Sequence, residues 1–247
     1  MRLTMADARP RPAYYVTLGD GLSMDAHAGG PGRGAGSLLY QNPNDAFPDW
    51  EGRDLKSRIP GLRMIPLAMD GATAATVRFA QVPKLREMNV RAGVATLTLG
   101  AGELLAALVG GEQAARRAAR DLREHGNALL AELRRDLLLP DAPLALANVP
   151  DPSDGADAHA AEAVALLNDV AGELASAHGA ALADLHARFR GHGSRAAGKE
   201  GRASEGEQCW YGGGGPIEPN AAGANEIRAA FWDALAQTGF GKDTTNT

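Results

Sequence analysis

Residues 14–21 read YYVTLGDG, five aromatic, β-branched or aliphatic residues followed by the turn formers Gly19, Asp20 and Gly21. This composition is typical of a buried strand that ends in a tight turn. A long segment rich in glycine, proline, asparagine and aspartate follows, from Ser23 to Pro60, and only residues 37–40 in it have the composition of a packed element. Because long loops after a first strand often carry function, we expect a site where this strand ends.

Strand-like segments alternate with helical segments along the rest of the chain. Residues 93–99, GVATLTL, are apolar on both faces, which is typical of a central parallel strand. Further strands are predicted over residues 63–68 and 144–149 and from Ala180, and helices over residues 74–85, in two segments between Glu103 and Leu139, over residues 158–177 and after Asn220. The alternation predicts an α/β domain with about five parallel strands covered by helices on both faces, and a site at the carboxyl ends of the strands.

Composition excludes several functional classes. The chain has 247 residues, 45% of them hydrophobic and 22% charged, which is typical of a folded globular protein. Its formal net charge of -5 and the absence of a large basic block argue against nucleic acid as a partner. No segment approaches the length of a membrane span. The single cysteine, Cys209, excludes an internal disulfide framework and mildly favours the cytoplasm.

The predicted domain covers residues 13–238, between an N-terminal tail over residues 1–12 and a C-terminal tail over residues 239–247. A stretch dominated by Gly, Ser, Glu and Arg between Gly193 and Gly215 is typical of a flexible flap.

Four short blocks resemble those of the SGNH (GDSL) hydrolases, a family of esterases and lipases. Residues 19–23, GDGLS, are similar to the Gly-Asp-Ser-Leu-Ser block, and residues 70–73, DGAT, to the second block. Residues 98–103, TLGAGE, correspond to the Gly-x-Asn-Asp block, and residues 216–220, PIEPN, to the final Asp-x-x-His-Pro-Asn block. The resemblance implies a three-layer α/β/α, flavodoxin-like fold and a pocket that takes a small ester, acyl or glycan ligand.

The reactive side chains of that family are substituted here. By the resemblance, Gly21 stands at the position of the nucleophilic serine, Gly102 at that of the oxyanion asparagine, Glu218 at that of the base histidine and Gly215 at that of the orienting aspartate; only Gly71, whose N–H helps form the oxyanion hole in the family, is kept. Glycine supplies no hydroxyl to attack an ester. We therefore expect ester cleavage by the family route to be lost or strongly reduced.

Three interpretations follow. In the first, the chain is a pseudoenzyme that binds such a ligand without cleaving it. In a variant of this interpretation, glutamate at position 218 is natural to a branch of the family and a histidine from elsewhere in the chain is the base. The nucleophile at position 21 is then the only catalytic group that is missing. Alternatively, the chain is an active esterase with a displaced nucleophile, Ser23, activated by His192 or by His27 and oriented by Asp20, Asp25 or Glu218. The third interpretation is a binding or interaction domain that keeps only the architecture.

Simpler structural roles compete with these functional ones. Ser23 is typical of a turn or helix-capping hydroxyl. Glu103, which ends the third block and is predicted to lie in the oxyanion pocket, is also typical of a residue that stabilises the positive end of a helix. Asp20 is expected to bind loop N–H groups with or without chemistry. The single cysteine and scattered histidines lack the ligand spacing of a zinc site, so no metal and no cofactor are predicted.

Overall fold

The structure is a computed structural model that describes residues 13–193, 209–212 and 215–240. The predicted N-terminal tail, most of the predicted C-terminal tail and most of the predicted flap lie outside the described residues.

Five parallel strands form one sheet. They are β1 (Tyr14–Gly19), β2 (Arg63–Pro66), β3 (Val94–Thr98), β4 (Leu144–Ala147) and β5 (Ala181–Ala183), in the order β2-β1-β3-β4-β5. The strand predicted to be central, β3, lies in the middle of the sheet and is buried along its whole length. Its mostly apolar sequence is explained by that position, since helices cover both faces of such a sheet.

Two groups of helices cover the sheet. The helices are α1 (Ala35–Tyr40), α2 (Leu55–Arg58), α3 (Ala74–Thr76), α4 (Val82–Glu87), α5 (Ala101–Glu132), α6 (Ala158–Ala177), α7 (Leu185–Arg188) and α8 (Ala221–Gln237). One group packs α5 against α6 and α3, whereas in the other α8 packs against α1 and the β4–β5 end of the sheet. This is the predicted three-layer α/β/α arrangement. In the described ranges, no helix is both long and apolar enough to cross a bilayer.

Two helical predictions are refined by the structure. The two helices expected between Glu103 and Leu139 both lie within α5 and meet at a kink at Gly111, whose φ of 72° is not helical. The helix expected over residues 74–85 contains a π-helical segment, Val77–Gln81, just before Pro83. Proline has no N–H to donate, so a change in the hydrogen-bonding pattern at this point is expected.

A buried glutamine fixes the end of β1. Gln81 is fully buried and bonds the backbone of Gly19 twice, accepting from its N–H at 2.9 Å and donating to its carbonyl at 2.7 Å. Gly19 has a φ of 115°, and an added β-carbon would lie 2.0 Å from the carbonyl oxygen of Thr98. Only glycine fits there, and the strand end is therefore held in one position.

A buried arginine anchors the long loop after β1 to the last helix. Arg228 in α8 is fully buried, and its guanidinium lies over the rings of Phe47 and Trp50, 4.6 and 4.0 Å from their centroids. It also donates to Asn42 Oδ1 at 2.7 Å and to the side chain of Asn225. Burial lowers the pKa of Arg228 to about 10, so it stays charged at neutral pH.

Replacing Gln81 with methionine should destabilise the fold by about 1–3 kcal/mol, because the change leaves the Gly19 N–H buried without an acceptor. Urea denaturation followed by circular dichroism measures this difference. Gln113→Met is the control, since Gln113 is an exposed residue of α5, and it should change the free energy of unfolding little. Equal stability of the two variants would contradict the assigned role of Gln81.

Candidate functional site

A cleft opens where the carboxyl ends of β1, β2 and β3 meet, as the sheet topology predicts for an α/β fold. Its cavity volume is about 10 Å³, and it is lined by Asp20, Gly21, Leu22, Asp70, Gly71, Ala101, Gly102, Leu105, Ile217 and Glu218. All four sequence blocks therefore contribute residues to one cleft. The structure brings together the predicted site residues Asp20, Gly21, Gly71, Gly102 and Glu218.

Position 21 is open enough to accept a small side chain. A β-carbon built on Gly21 would lie 2.8 Å from Asp70 Oδ1 and 3.9 Å from His27 Cδ2. The Asp70 side chain is 57% exposed, so its carboxylate can move aside. The space that a nucleophile would need at this position is therefore present.

Position 102, in contrast, is closed by backbone. A β-carbon on Gly102 would lie 2.6 Å from the carbonyl oxygen of Ala72 and 2.7 Å from that of Gly71. Backbone oxygens cannot rotate away as a side chain can. The segment at residues 71–72 thus occupies the space that an oxyanion asparagine would require, and no larger residue fits at position 102 without moving it.

Asp20 is a buried carboxyl that joins β1 to α5. Its side chain accepts from the N–H of Leu22 at 3.1 Å and of Ala101 at 3.2 Å, while its own N–H donates to Thr98 Oγ1 at 3.0 Å. Burial raises the pKa of Asp20 to about 6. The expected role of Asp20 in binding loop N–H groups matches these contacts.

Glu103, predicted to be a pocket residue, does not line this cleft. Its Oε1 accepts from the N–H of Ala74 at 2.7 Å, and its Oε2 is buried with no partner among the described residues. It lines a separate groove with Arg117 and His125. Burial, with a smaller contribution from the nearby charge of Asp20, raises the pKa of Glu103 to about 7.

Ser23 and His192, the predicted displaced pair, have other partners. The Ser23 side chain is buried, and its hydroxyl lies 3.2 Å from Thr98 Oγ1. The His192 ring stacks on Trp210 at a centroid distance of 3.6 Å and an interplanar angle of 3°. Neither residue is among the described residues that line the cleft, so the structure does not bring them together there.

His27 and Asp70 lie instead beside Gly21. His27 Nε2 is 3.5 Å from Asp70 Oδ2, and both side chains face the position of a β-carbon at residue 21. From the sequence, His27 is predicted as a base only as an alternative to His192, and Asp70 is not predicted to be a site residue. The signal for Asp70 was its place in the second block, directly before Gly71.

Gly102→Ala should destabilise the protein by about 1–3 kcal/mol, because the new methyl group would overlap two backbone oxygens. Thermal or urea unfolding measures the change. Gly172→Ala in α6 is the control, since no atom lies within 4 Å of its added β-carbon; it should stabilise the protein by about 0.5–1 kcal/mol through helix propensity. A Gly102→Ala variant as stable as the wild type would contradict the closed geometry.

Glu103 should make the folded state less stable as pH rises. Its pKa is raised from 4.5 to about 7, so between these values the folded protein keeps a proton that the unfolded chain has released. The free energy of unfolding should therefore fall, by about 3 kcal/mol at most, from about pH 4.5 to about pH 7.5. Urea denaturation at both pH values measures this change.

The Glu103→Gln variant should lack this part of the pH dependence. Glu124→Gln, which alters an exposed carboxylate of the same helix, should keep it. The same pH dependence in Glu103→Gln as in the wild type would rule out the proposed contribution.

Comparison with known proteins identifies the fold. No family model matches the sequence, and no curated protein matches it. Among solved structures, the lipase Lip_vut3 from a goat rumen metagenome has a TM-score of 0.65 and 18% identity, covering 93% of this chain and 99% of the lipase.

Two further structures extend the comparison. An acetyl xylan esterase variant from Geobacillus stearothermophilus has a TM-score of 0.61 and 12% identity, covering 95% of this chain and 97% of its own. A member of the lipolytic G-D-S-L family from Veillonella parvula has a TM-score of 0.56 and 13% identity, covering 91% of this chain and 99% of its own. The chain therefore has the SGNH hydrolase fold, as its four sequence blocks predicted.

Proposed function

We propose that this protein is an SGNH-type protein of the ester-hydrolysing class in which serine-dependent ester cleavage is lost or strongly reduced, and whose cleft binds a small ester, acyl or glycan group. One observation carries the proposal: the residue at the nucleophile position, Gly21, lines the cleft without a hydroxyl. The similar structures include a lipase and an acetyl xylan esterase, which supports an ester as the ligand class. The single cysteine remains compatible with a cytoplasmic location.

The contacts of Ser23 argue against the alternative of a displaced nucleophile. A nucleophilic serine must reach both its base and the substrate. The Ser23 side chain is buried and its hydroxyl faces Thr98, so no route from the cleft to this oxygen is evident. Gly102 adds a second obstacle, because the space of an oxyanion donor is filled by the carbonyl groups of Gly71 and Ala72.

Restoring the hydroxyl tests the proposal. Gly21→Ser should gain hydrolysis of short p-nitrophenyl esters by about 10²-fold or more over Gly21→Ala, since a positioned base contributes that much. His27 is the base expected in this variant, because its Cδ2 would lie 3.9 Å from the new β-carbon and Nε2 is the adjacent ring atom. Adding His27→Gln to Gly21→Ser should remove the gain, and the assays are run in EDTA to exclude metal-dependent hydrolysis.

The wild type and Ser23→Ala provide the controls. Both should hydrolyse the esters only slightly faster than buffer, and neither should react with a fluorophosphonate probe that labels activated serines. Wild-type turnover typical of an ordinary esterase that disappears in Ser23→Ala would overturn the proposal in favour of the displaced nucleophile. No gain in Gly21→Ser would mean that the pocket is remodelled beyond the missing hydroxyl.

Ligand binding by the wild type is measured separately, by saturation-transfer NMR with short-chain esters. Binding that disappears in Gly21→Leu, where the larger side chain fills the cleft, is the expected result. No detectable binding of any ester would favour an interaction domain that retains only the fold.

A further inference from the structure

A histidine and two carboxylates meet in front of Gly21. One ligand atom each from His27, Asp70 and Glu218 all lie within 4.8 Å of one another. The three residues come from separate parts of the chain: the turn after β1, the loop after β2 and the segment before α8. Their proximity is therefore produced by the fold and not by local spacing, which is why the sequence did not predict a metal site.

The charge of the cleft favours a cation. The ionisable residues among those lining it are Asp20, Asp70 and Glu218, all of them acidic. Across the described ranges, the only ion pair of Asp70 is with His27, and neither Asp70 nor Glu218 has a lysine or arginine nitrogen within 4.0 Å. Glu218 is also 92% buried, so solvent screens its charge poorly.

His27 offers a ring nitrogen that is paired with Asp70 only at 3.5 Å and makes no hydrogen bond among the described residues. Its side chain is only 16% exposed, and Nε2 is buried without a hydrogen-bond partner among the described residues. Leaving a buried polar atom unpaired costs free energy. A metal ion would satisfy this nitrogen, because neutral imidazole is a common metal ligand through Nε2.

The absence of a side chain at residue 21 leaves room for an ion. A β-carbon there would lie 2.8 Å from Asp70 Oδ1 and would therefore compete with anything held between the three side chains. With glycine, no side chain of residue 21 competes for this position, and Gly21 itself lines the cleft. The substitution that removes the nucleophile thus also opens a space surrounded by three metal-ligating groups.

We propose that His27, Asp70 and Glu218 bind a divalent first-row transition metal ion, with Zn²⁺ as the test ion, in the space left by the missing side chain of residue 21. One imidazole and two carboxylates suit such ions and leave positions for water. Ligand atoms of one tetrahedral Zn²⁺ lie roughly 3.4 Å apart, so the cluster must contract slightly. The half-exposed Asp70 side chain can make this movement. The site does not rest on the proposed function, since an ion could bind whether or not esters do.

Isothermal titration of the full-length protein, freed of metal by EDTA and then desalted, tests the site with ZnCl₂ alone. We expect one ion per chain. His27→Gln and Glu218→Gln should each weaken binding at least about tenfold, since even partners outside the ligand set typically contribute that much. His178→Gln is the matched control: His178 lies at the end of α6 and bonds Asn127, so this variant should bind Zn²⁺ as the wild type does.

Two measurements on the wild type keep the test independent of variant folding. Zn²⁺ should raise the melting temperature by mass action, and it should shift the NMR signals of the His27 ring more than those of the other histidines. The proposed site would be overturned by an unchanged Zn²⁺ affinity in His27→Gln. It would also be overturned if Zn²⁺ mainly shifted the NMR signals of another histidine, or if Zn²⁺ binding required Cys209. The lack of any one-to-one binding would overturn it as well and would leave His27 and Asp70 as a simple ion pair.

Discussion

The buried carboxyl of Asp20 is the interaction on which the geometry of the cleft depends. It accepts from the N–H groups of Leu22 and Ala101 and so connects the end of β1 to the first turn of α5. Gln81 holds the same strand end from the other side through Gly19. Both attachments hold Gly21 and Gly102 at one cleft, and neither attachment uses a side chain of these two residues.

The two glycines of the cleft differ in what surrounds them. At Gly21 the nearest obstacle is the end of the exposed Asp70 side chain, whereas at Gly102 it is the backbone of residues 71 and 72. A small side chain therefore fits at residue 21 if the Asp70 carboxylate moves, whereas at residue 102 it would require the backbone to move.

The fold could be predicted from sequence because its signals are local. The apolar segment at residues 93–99 indicated a central strand, and β3 is central; turn formers at the strand ends indicated where the cleft would lie. The short β5 is the weakest such segment, since Ala181–Ala183 contains no β-branched residue.

The cluster of side chains could not be predicted in the same way. His27 lies in a long loop, and Asp70 precedes Gly71, whose φ is 64°. Neither residue has a sequence spacing that relates it to Glu218. Ser23 and His192, in contrast, were predicted as site residues because each has a suitable residue type and lies near a strand end. The sequence does not give the direction of a side chain, and that direction decides its role. Ser23 faces Thr98 and His192 faces Trp210.

The arginine held between Phe47 and Trp50 makes the C-terminal helix a support for distant parts of the molecule. Arg228 belongs to α8, which directly follows Glu218, while its aromatic partners belong to the long segment that also carries His27. A frameshift or premature stop codon after the fifth strand would therefore do more than expose one side of the sheet. It would remove Glu218 from the cleft, and by removing Arg228 it would also leave the loop that carries His27 without its support.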